Sequence, residues 1–570
     1  MNAPPIARAD RWLAVALAVA ATVLVAVTAQ QLGFTRDEGY YFKAGEQYWR
    51  WFESLARHPV EALSAGGIDR GWGYNHEHPA LVKTLFAWSF GVAEALGLSG
   101  KDGVLHVHDA LRFPAWCFAG LSVALTFLLA RTLLSRRAAL VAALLWLSLP
   151  HPFWHMHVAC FDVAISAAHT WLVLAYLRWR HTPSGALAVG ALFGLAAAVK
   201  HNVLVVPALL VLHWLITEAE PVRREPAGWR VPRIPLVFPS LALVGPLVFL
   251  LTWPWLWHDP FLRVGQYLGF HLRHEHYPIL YFGKLWTHPP FPIEFPFVMS
   301  AVTIPTAALV LMVLGVLLAL VVVVHGARAR WARTPTSSGG AELTRVPLGD
   351  GASGSSCDTA LLVLLNAFLP FVLIALPWTP IFGGTKHWMN GLPFLCVLAA
   401  WALEEACARL RAIEVRGARG AFALLALLVI VPGFWISARV WPYGLGSYNE
   451  LIGFTRGAAN VGMQRTFWGY EPRAALPIVN ERAPRNGRIH FGDTNHDSWR
   501  MYQRDGLLRA DIAWSGTVRG AAVASVQPQG EFKQQWLDVW NEWGDRSPDV
   551  VLHTDGVPVA TVTVHAGEAP

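Results

Sequence analysis

Charge is scarce in this 570-residue chain: Asp, Glu, Lys and Arg together make up 15% of it. With 54% hydrophobic residues and a mean hydropathy of +0.38, this excludes an ordinary soluble globule and points to a polytopic membrane protein. Cysteine is scarcer still. The five, Cys117, Cys160, Cys357, Cys396 and Cys407, include no CxxC pair, so neither a zinc ribbon nor a disulfide framework is indicated. No nucleic-acid-binding motif is present, and the net charge of +7 is assigned to cytosolic loops. No small-x-small cleavage site follows the first apolar run, so an uncleaved first span is expected. No repeat of fixed period is visible, unlike the repeated halves common in transporters.

Apolar runs are abundant. A span needs roughly 20 apolar residues. Candidates lie at 12–30, 112–134, 138–156, 159–178, 185–200, 202–217, 235–257, 297–325, 359–378, 389–407 and 420–437. A twelfth stretch, 79–98, is ambiguous, and positive charge decides it. The loops holding Arg131/Arg136/Arg137, Arg178/Arg180, Arg223/Arg224/Arg230/Arg233, Arg328/Arg330/Arg333 and Arg409/Arg411/Arg416/Arg419 all fall on the N-terminal side only if 79–98 does not cross. The expected architecture is an all-α polytopic membrane domain over 1–437 with about eleven spans. Interfacial helices sit in its outer loops, and the N-terminus is cytosolic. Its first outer loop is 31–111 and its second large one 258–296; 334–358 is a Gly/Ser-rich, flexible cytosolic linker. Residues 438–570 are expected to form a small extracytoplasmic α/β domain. Its strand lies at Ile489–Phe491, its helix at Phe532–Trp540, and its hairpin turns about Asp555-Gly556.

The polar residues gather in the outer loops. Asp37-Glu38 follow the first span directly, with Tyr40 beside them; paired carboxylates there suit a base that deprotonates a hydroxyl, or a helix N-terminus whose dipole favours acids. In Asn75-His76-Glu77-His78-Pro79-Ala80-Leu81-Val82-Lys83, the lysine suits a phosphate and Glu77 with a histidine suits a metal, while a helix cap with a snorkelling lysine is the plainer alternative. Asp162 sits at the outer end of a span, a functional position by default or a partner for Arg112 or Lys200. In the 258–296 loop, His271, His274 and His276 have a spacing compatible with a divalent ion or with an aromatic interfacial loop. Gly383-Gly384-Thr385-Lys386 suits close approach to a phosphate, or simply a loop before an interfacial tryptophan.

Taken in order, Asp37-Glu38 after the first span, the His-x-His-Pro-x-Leu-x-Lys block and Asp162 resemble the GT-C glycosyltransferases. The nearest group is the dolichyl-phosphate-mannose–protein mannosyltransferase superfamily (glycosyltransferase family 39) with its bacterial aminoarabinose-transferase relatives. The likeness spans about residues 10–440 by layout, and Tyr443–Trp468 resembles bacterial members with a short exported tail. Where the family has His-Pro-Pro-Leu, this chain has Ala80, which loses no functional group. The resemblance implies transfer of a sugar from a polyprenyl-phosphate donor to a hydroxyl of a protein, lipid or cell-envelope glycan. Transfer would occur at the outer face of a bacterial inner membrane, by a single inverting displacement. It implies Asp37 as catalytic acid with Glu38 beside it, and Lys83, Lys386 and Arg112 at the donor phosphate. Asp162, His78 and Tyr40 would be supporting polar groups, and Glu77 with His274 or His276 would hold a divalent metal ion. Two other classes are open to the same residues: a flippase for lipid-linked sugars, and a non-catalytic glycan-binding membrane protein whose tail presents Trp468, Trp499, Trp514, Trp536 or Trp540.

Overall fold

The computed structural model describes residues 6–100, 103–218, 223–225, 228–230, 233–331, 354–414, 418–544 and 547–565. Most of the 334–358 linker lies outside them. Each of the eleven apolar segments is helical. They correspond to α1 (Arg8–Thr28), α4 (Val107–Ala130), α5 (Arg136–Ser148), α6 (Asp162–Trp179), α7 (Pro183–Ala197), α8 (Val206–Thr217), α9 (Val237–Leu251), α10 (Thr306–Trp331), α11 (Gly354–Ala375), α12 (Leu392–Ala412) and α13 (Ala418–Val440). Among the described residues six helices are long and apolar enough to cross a membrane alone, which makes the protein multi-pass. Two apolar runs are broken where proline bars the helix from the residue before it. The 138–156 run stops at Leu149 before Pro150, and the 297–325 run is split at Ile304-Pro305. The first break matters most, because the chain then unwinds over 156–161, bringing Cys160 against Thr35 of the first outer loop and His155 beside Asp162.

That loop holds two further long helices, α2 (Arg36–Arg57) and α3 (Leu81–Ala95), packed on each other and on α4. The helix α2 begins where it does because Thr35 caps it: Thr35 Oγ1 accepts from the Glu38 amide at 3.3 Å, and the Glu38 carboxylate accepts from the Thr35 amide at 2.9 Å. Its buried face (Tyr41, Phe42, Tyr48, Trp51) fits its amphipathic pattern. Over 79–98 the chain forms the single helix α3, with Val82, Lys83, Phe86 and Phe90 turned inward.

The C-terminal region contains a five-stranded mixed sheet. Strands β1 (Arg488–Phe491), β2 (Ala513–Ser515), β3 (Val523–Val526), β4 (Val550–Thr554) and β5 (Val557–Val564) lie in the order β2-β1-β3-β5-β4. The inner strand β1 runs parallel to β2 and β3, and the β4–β5 hairpin turns at Asp555-Gly556, both with positive φ. Helices α14 (His496–Arg504) and α15 (Lys533–Trp543) flank the sheet. The short strands β2 and β3 carry no clear alternation and are not legible in the sequence. This region does not stand apart from the membrane helices. Tyr443, Tyr448, Trp468, Tyr470, Ile489, Phe491 and Tyr502 belong to the same apolar core as the spans.

Candidate active site

Asp37 lies in the first turn of α2, where the helix dipole favours a carboxylate, with its side chain 24% exposed. Lys386 Nζ stands 3.4 Å from its Oδ2. The lysine is nearly buried between two rings, its Nζ 4.2 Å from the Trp468 ring centre and 4.7 Å from that of Phe382. Burial pulls its ammonium below the ordinary lysine range, against the carboxylates of Asp37 and Asp162, which hold it up. The backbone that sets Lys386 back is built for it. Gly383 and Gly384 both have φ near +66°, and a Cβ on Gly383 would stand 2.6 Å from Lys386 Cε and 2.9 Å from Trp468 Nε1. Trp468 itself holds φ +74°, a costly conformation for a bulky residue, and its carbonyl accepts from the Arg36 amide at 2.8 Å.

Behind Lys386 lies a second ion pair, Lys200 Nζ to Asp162 Oδ1 at 2.7 Å, with His155 Nδ1 3.8 Å from the other carboxylate oxygen. His155 also packs edge-on against Trp468 at 4.9 Å. The four charges alternate in sign, so each ammonium faces a carboxylate in a poorly solvated place. Buried polar atoms without a protein partner line the surroundings: Trp468 Nε1, His201 Nδ1, Asn202 Oδ1 and His387 Nε2.

The structure gives several expected site residues a different use. Glu38 is fully buried and bidentate to Arg112, with Nε–Oε1 at 2.7 Å and Nη2–Oε2 at 2.8 Å, and its Oε1 also accepts from the Ala159 amide. Arg112 spends further N–H groups on the carbonyls of Leu32 and Gly33. The pair therefore fixes the turn that presents Asp37, and both side chains are committed to each other and to backbone groups. Adjacent residues on a helix point about 100° apart, which is why neighbours in the sequence part company here. Replacing Glu38 by Gln would leave a buried guanidinium uncompensated and is expected to cost about 3–5 kcal/mol, read as a lowered unfolding midpoint in detergent. A smaller loss in the double variant Glu38→Gln/Arg112→Met than in Glu38→Gln alone would identify the uncompensated charge as the cause.

Lys83 is likewise committed. Its ammonium donates to Asn75 O, Asn75 Oδ1 and His78 O at 2.5, 3.2 and 3.0 Å, using all three N–H groups to fold the 75–78 turn. Glu77 accepts from Asn75 Nδ2 at 2.7 Å. His274 stacks on Phe382 at 5.2 Å and His276 meets Phe291 at 5.4 Å, so neither joins Glu77. The histidine beside residue 77 is His271, whose Nε2 bonds the Glu77 carbonyl at 3.0 Å. Among the described residues no group of three or more His, Cys, Asp or Glu is placed to hold a metal. The expected set of Glu77, His274 and His276 therefore does not fit an ion, because its members point to different neighbours. His78 sits inside the turn, 6.0 Å ring to ring from Tyr41, and Tyr40 is 40% exposed. Of the two partners the sequence offered Asp162, Arg112 and Lys200, the structure pairs it with Lys200; His155, His387 and Trp468 carried no expected role in the site.

Residues 104–253 match the model of the dolichyl-phosphate-mannose-protein mannosyltransferase family. The stretch runs from α4 through α9 and includes His155, Asp162 and Lys200. The match takes in the Asp162 segment; Asp37-Glu38 and the His76–Lys83 block lie before it. No curated protein matches the sequence. Among solved structures, ArnT from Cupriavidus metallidurans in the apo state is 15% identical with a TM-score of 0.49, over 99% of this chain and 100% of that one. The same protein bound to undecaprenyl phosphate is 14% identical with a TM-score of 0.46, over 97% and 98%. The oligosaccharyltransferase AglB from Archaeoglobus fulgidus, in complex with an inhibitory peptide and a dolichol-phosphate, is 12% identical with a TM-score of 0.42, over 90% and 66%.

Proposed function

We propose that the protein transfers a sugar from a polyprenyl-phosphate donor to an acceptor hydroxyl. The reaction takes place at the outer face of a bacterial inner membrane, with the N-terminus cytosolic. The observation that supports this reading is the partly open Asp37 carboxylate 3.4 Å from a buried lysine, backed by Lys200 and Asp162. Asp37 takes the proton of the attacking hydroxyl as the oxygen bonds the anomeric carbon from the face opposite the phosphate. The glycosidic C–O bond to phosphate breaks with its electron pair, inverting the centre. Lys386 and Lys200 meet the charge that grows on the departing lipid phosphate. Phosphate leaves readily, so positioning and charge neutralisation carry most of the rate. The family match to 104–253 supports the same class, since it covers the segment that supplies Asp162 and Lys200. Acceptor classes consistent with the site are a protein, a lipid and a cell-envelope glycan.

The experiment is incubation of the purified protein with a panel of radiolabelled polyprenyl-phosphate sugars and membrane extract. Label entering a protein, lipid or glycan fraction is the expected result; label confined to the donor across the panel would sink the reading. The two lysines supply the positive charge, so treatment with EDTA is expected to leave the rate unchanged. A fall that returns with one added divalent ion would give that ion a place in the reaction. The glycan-binding reading is less well supported. Trp499 and Trp536 donate their indole N–H groups to Ile512 O and Gln527 O inside the C-terminal region, and Trp468 packs on Lys386.

A further inference from the structure

The N-terminal turn of α2 is also held from the C-terminal region. Arg36 Nη1 donates to Asp493 Oδ1 at 2.9 Å, and Asn495 Nδ2 donates to the Arg36 carbonyl at 2.5 Å. The fit is close: a Cβ on Gly39 would stand 2.1 Å from Asn495 Oδ1. Asp493 and Asn495 come from the loop after β1, an inner strand paired on both sides, whose carboxyl end therefore points at the site. Arg36 is the neighbour of Asp37 in the chain, and its Nε already lies 4.0 Å from Asp37 Oδ1. One guanidinium thus stands between two carboxylates, and the shorter contact is to Asp493.

We infer that Asp493 is a positioning residue: by holding Arg36 it keeps that guanidinium off Asp37 and leaves the Asp37 carboxylate free to face an acceptor. The inference rests on Asp37 being the base. It extends the alternating charges into one row, Asp493, Arg36, Asp37, Lys386, Asp162 and Lys200, running from the C-terminal sheet to the membrane helices. Neutralising Asp493 frees Arg36 to close on Asp37, which lowers its basicity and covers it. The charged groups facing Asp493 are Arg36 and Asp37 from α2, Glu471 from the segment after Trp468, and Glu531 ahead of α15. Burial pushes the Asp493 carboxyl up to about 6, against the pull of Arg36 and with Asp37 adding to the rise. The anionic, holding form is therefore present above about pH 6 and is lost as the pH falls through it.

The test compares wild type, Asp493→Asn, Asp493→Glu, Arg36→Gln/Asp493→Asn and Asp37→Asn in nanodiscs. A substrate-free measurement comes first: the rate at which a carbodiimide modifies Asp37, read by peptide mass spectrometry. It is expected to fall several-fold in Asp493→Asn and to recover in Asp493→Glu and in the double variant. Initial transfer rates from radiolabelled polyprenyl-phosphate mannose are then taken from about pH 5 to about pH 8. Asp493→Asn is expected to lose about 10–100-fold at neutral pH, with a wild-type unfolding midpoint, and to lack the acid limb of the wild-type profile. Unchanged Asp37 labelling in Asp493→Asn, or a double variant no better than the single one, would overturn the inference. Near-wild-type transfer by Asp37→Asn would instead overturn the assignment of the base, an outcome the labelling rates do not depend on.

Discussion

Asp37→Asn is expected to abolish transfer while the protein inserts and folds normally. Asparagine keeps the shape of the side chain and can still accept from Lys386, but it cannot take up the proton of an attacking hydroxyl. A positioned base contributes about 10²–10⁴-fold, so the rate should drop by at least that range. The interaction is made only as the proton moves. The turnover number and kcat/KM should therefore fall together, with donor affinity kept. Asp37 is 24% exposed and is not part of the buried Glu38–Arg112 clamp, so the unfolding midpoint should change little. Near-normal transfer by this variant would sink the assignment.

Lys386→Met is the second large effect. Met fills the slot between Phe382 and Trp468 but removes the charge that faces both Asp37 and Asp162. By analogy with the loss of one oxyanion-stabilising donor, the rate should fall about 10²–10³-fold. Lys386→Arg should recover only part of this, because a planar guanidinium is a poor replacement for a compact ammonium in a tight slot. The pH dependence has a definite sign. The cation is the working form, and burial holds its pKa below that of an ordinary lysine. Activity should therefore decline on the alkaline side at a lower pH than free lysine titrates, and this limb should be missing from the residual activity of Lys386→Met. An alkaline limb that persists in the Met variant would assign it to another group.

Much of the architecture was readable in advance, for particular physical reasons. The apolar runs must become helices, since a backbone in lipid has to satisfy its own hydrogen bonds. Thr35 and Glu38 have the spacing of a capping box, and Asp555-Gly556 has the turn chemistry of a tight hairpin; both elements form. Within residues 79–98 the chain forms one helix, α3. The breaks at Leu149-Pro150 and Ile304-Pro305 were also legible, as prolines inside runs that were read as continuous.

The sequence by itself determined that the chain is membrane-embedded, which apolar segments become helical, and that Asp37, Asp162 and Lys386 stand at the ends of apolar segments. Those properties depend on local composition and spacing, which act over a few turns of chain. Only the tertiary structure decided which charges meet. It turned Glu38 inward to Arg112, spent Lys83 on the turn at Asn75, and separated His274 and His276 from Glu77. It brought Lys386 to Asp37 from 349 residues away, and Asp493 to Arg36 from 457. A lysine's three N–H groups bond whatever acceptor the fold places within about 3 Å, and that neighbour is set by packing between distant segments. The residue type names the chemistry a side chain can do; its contacts decide whether it is free to do it.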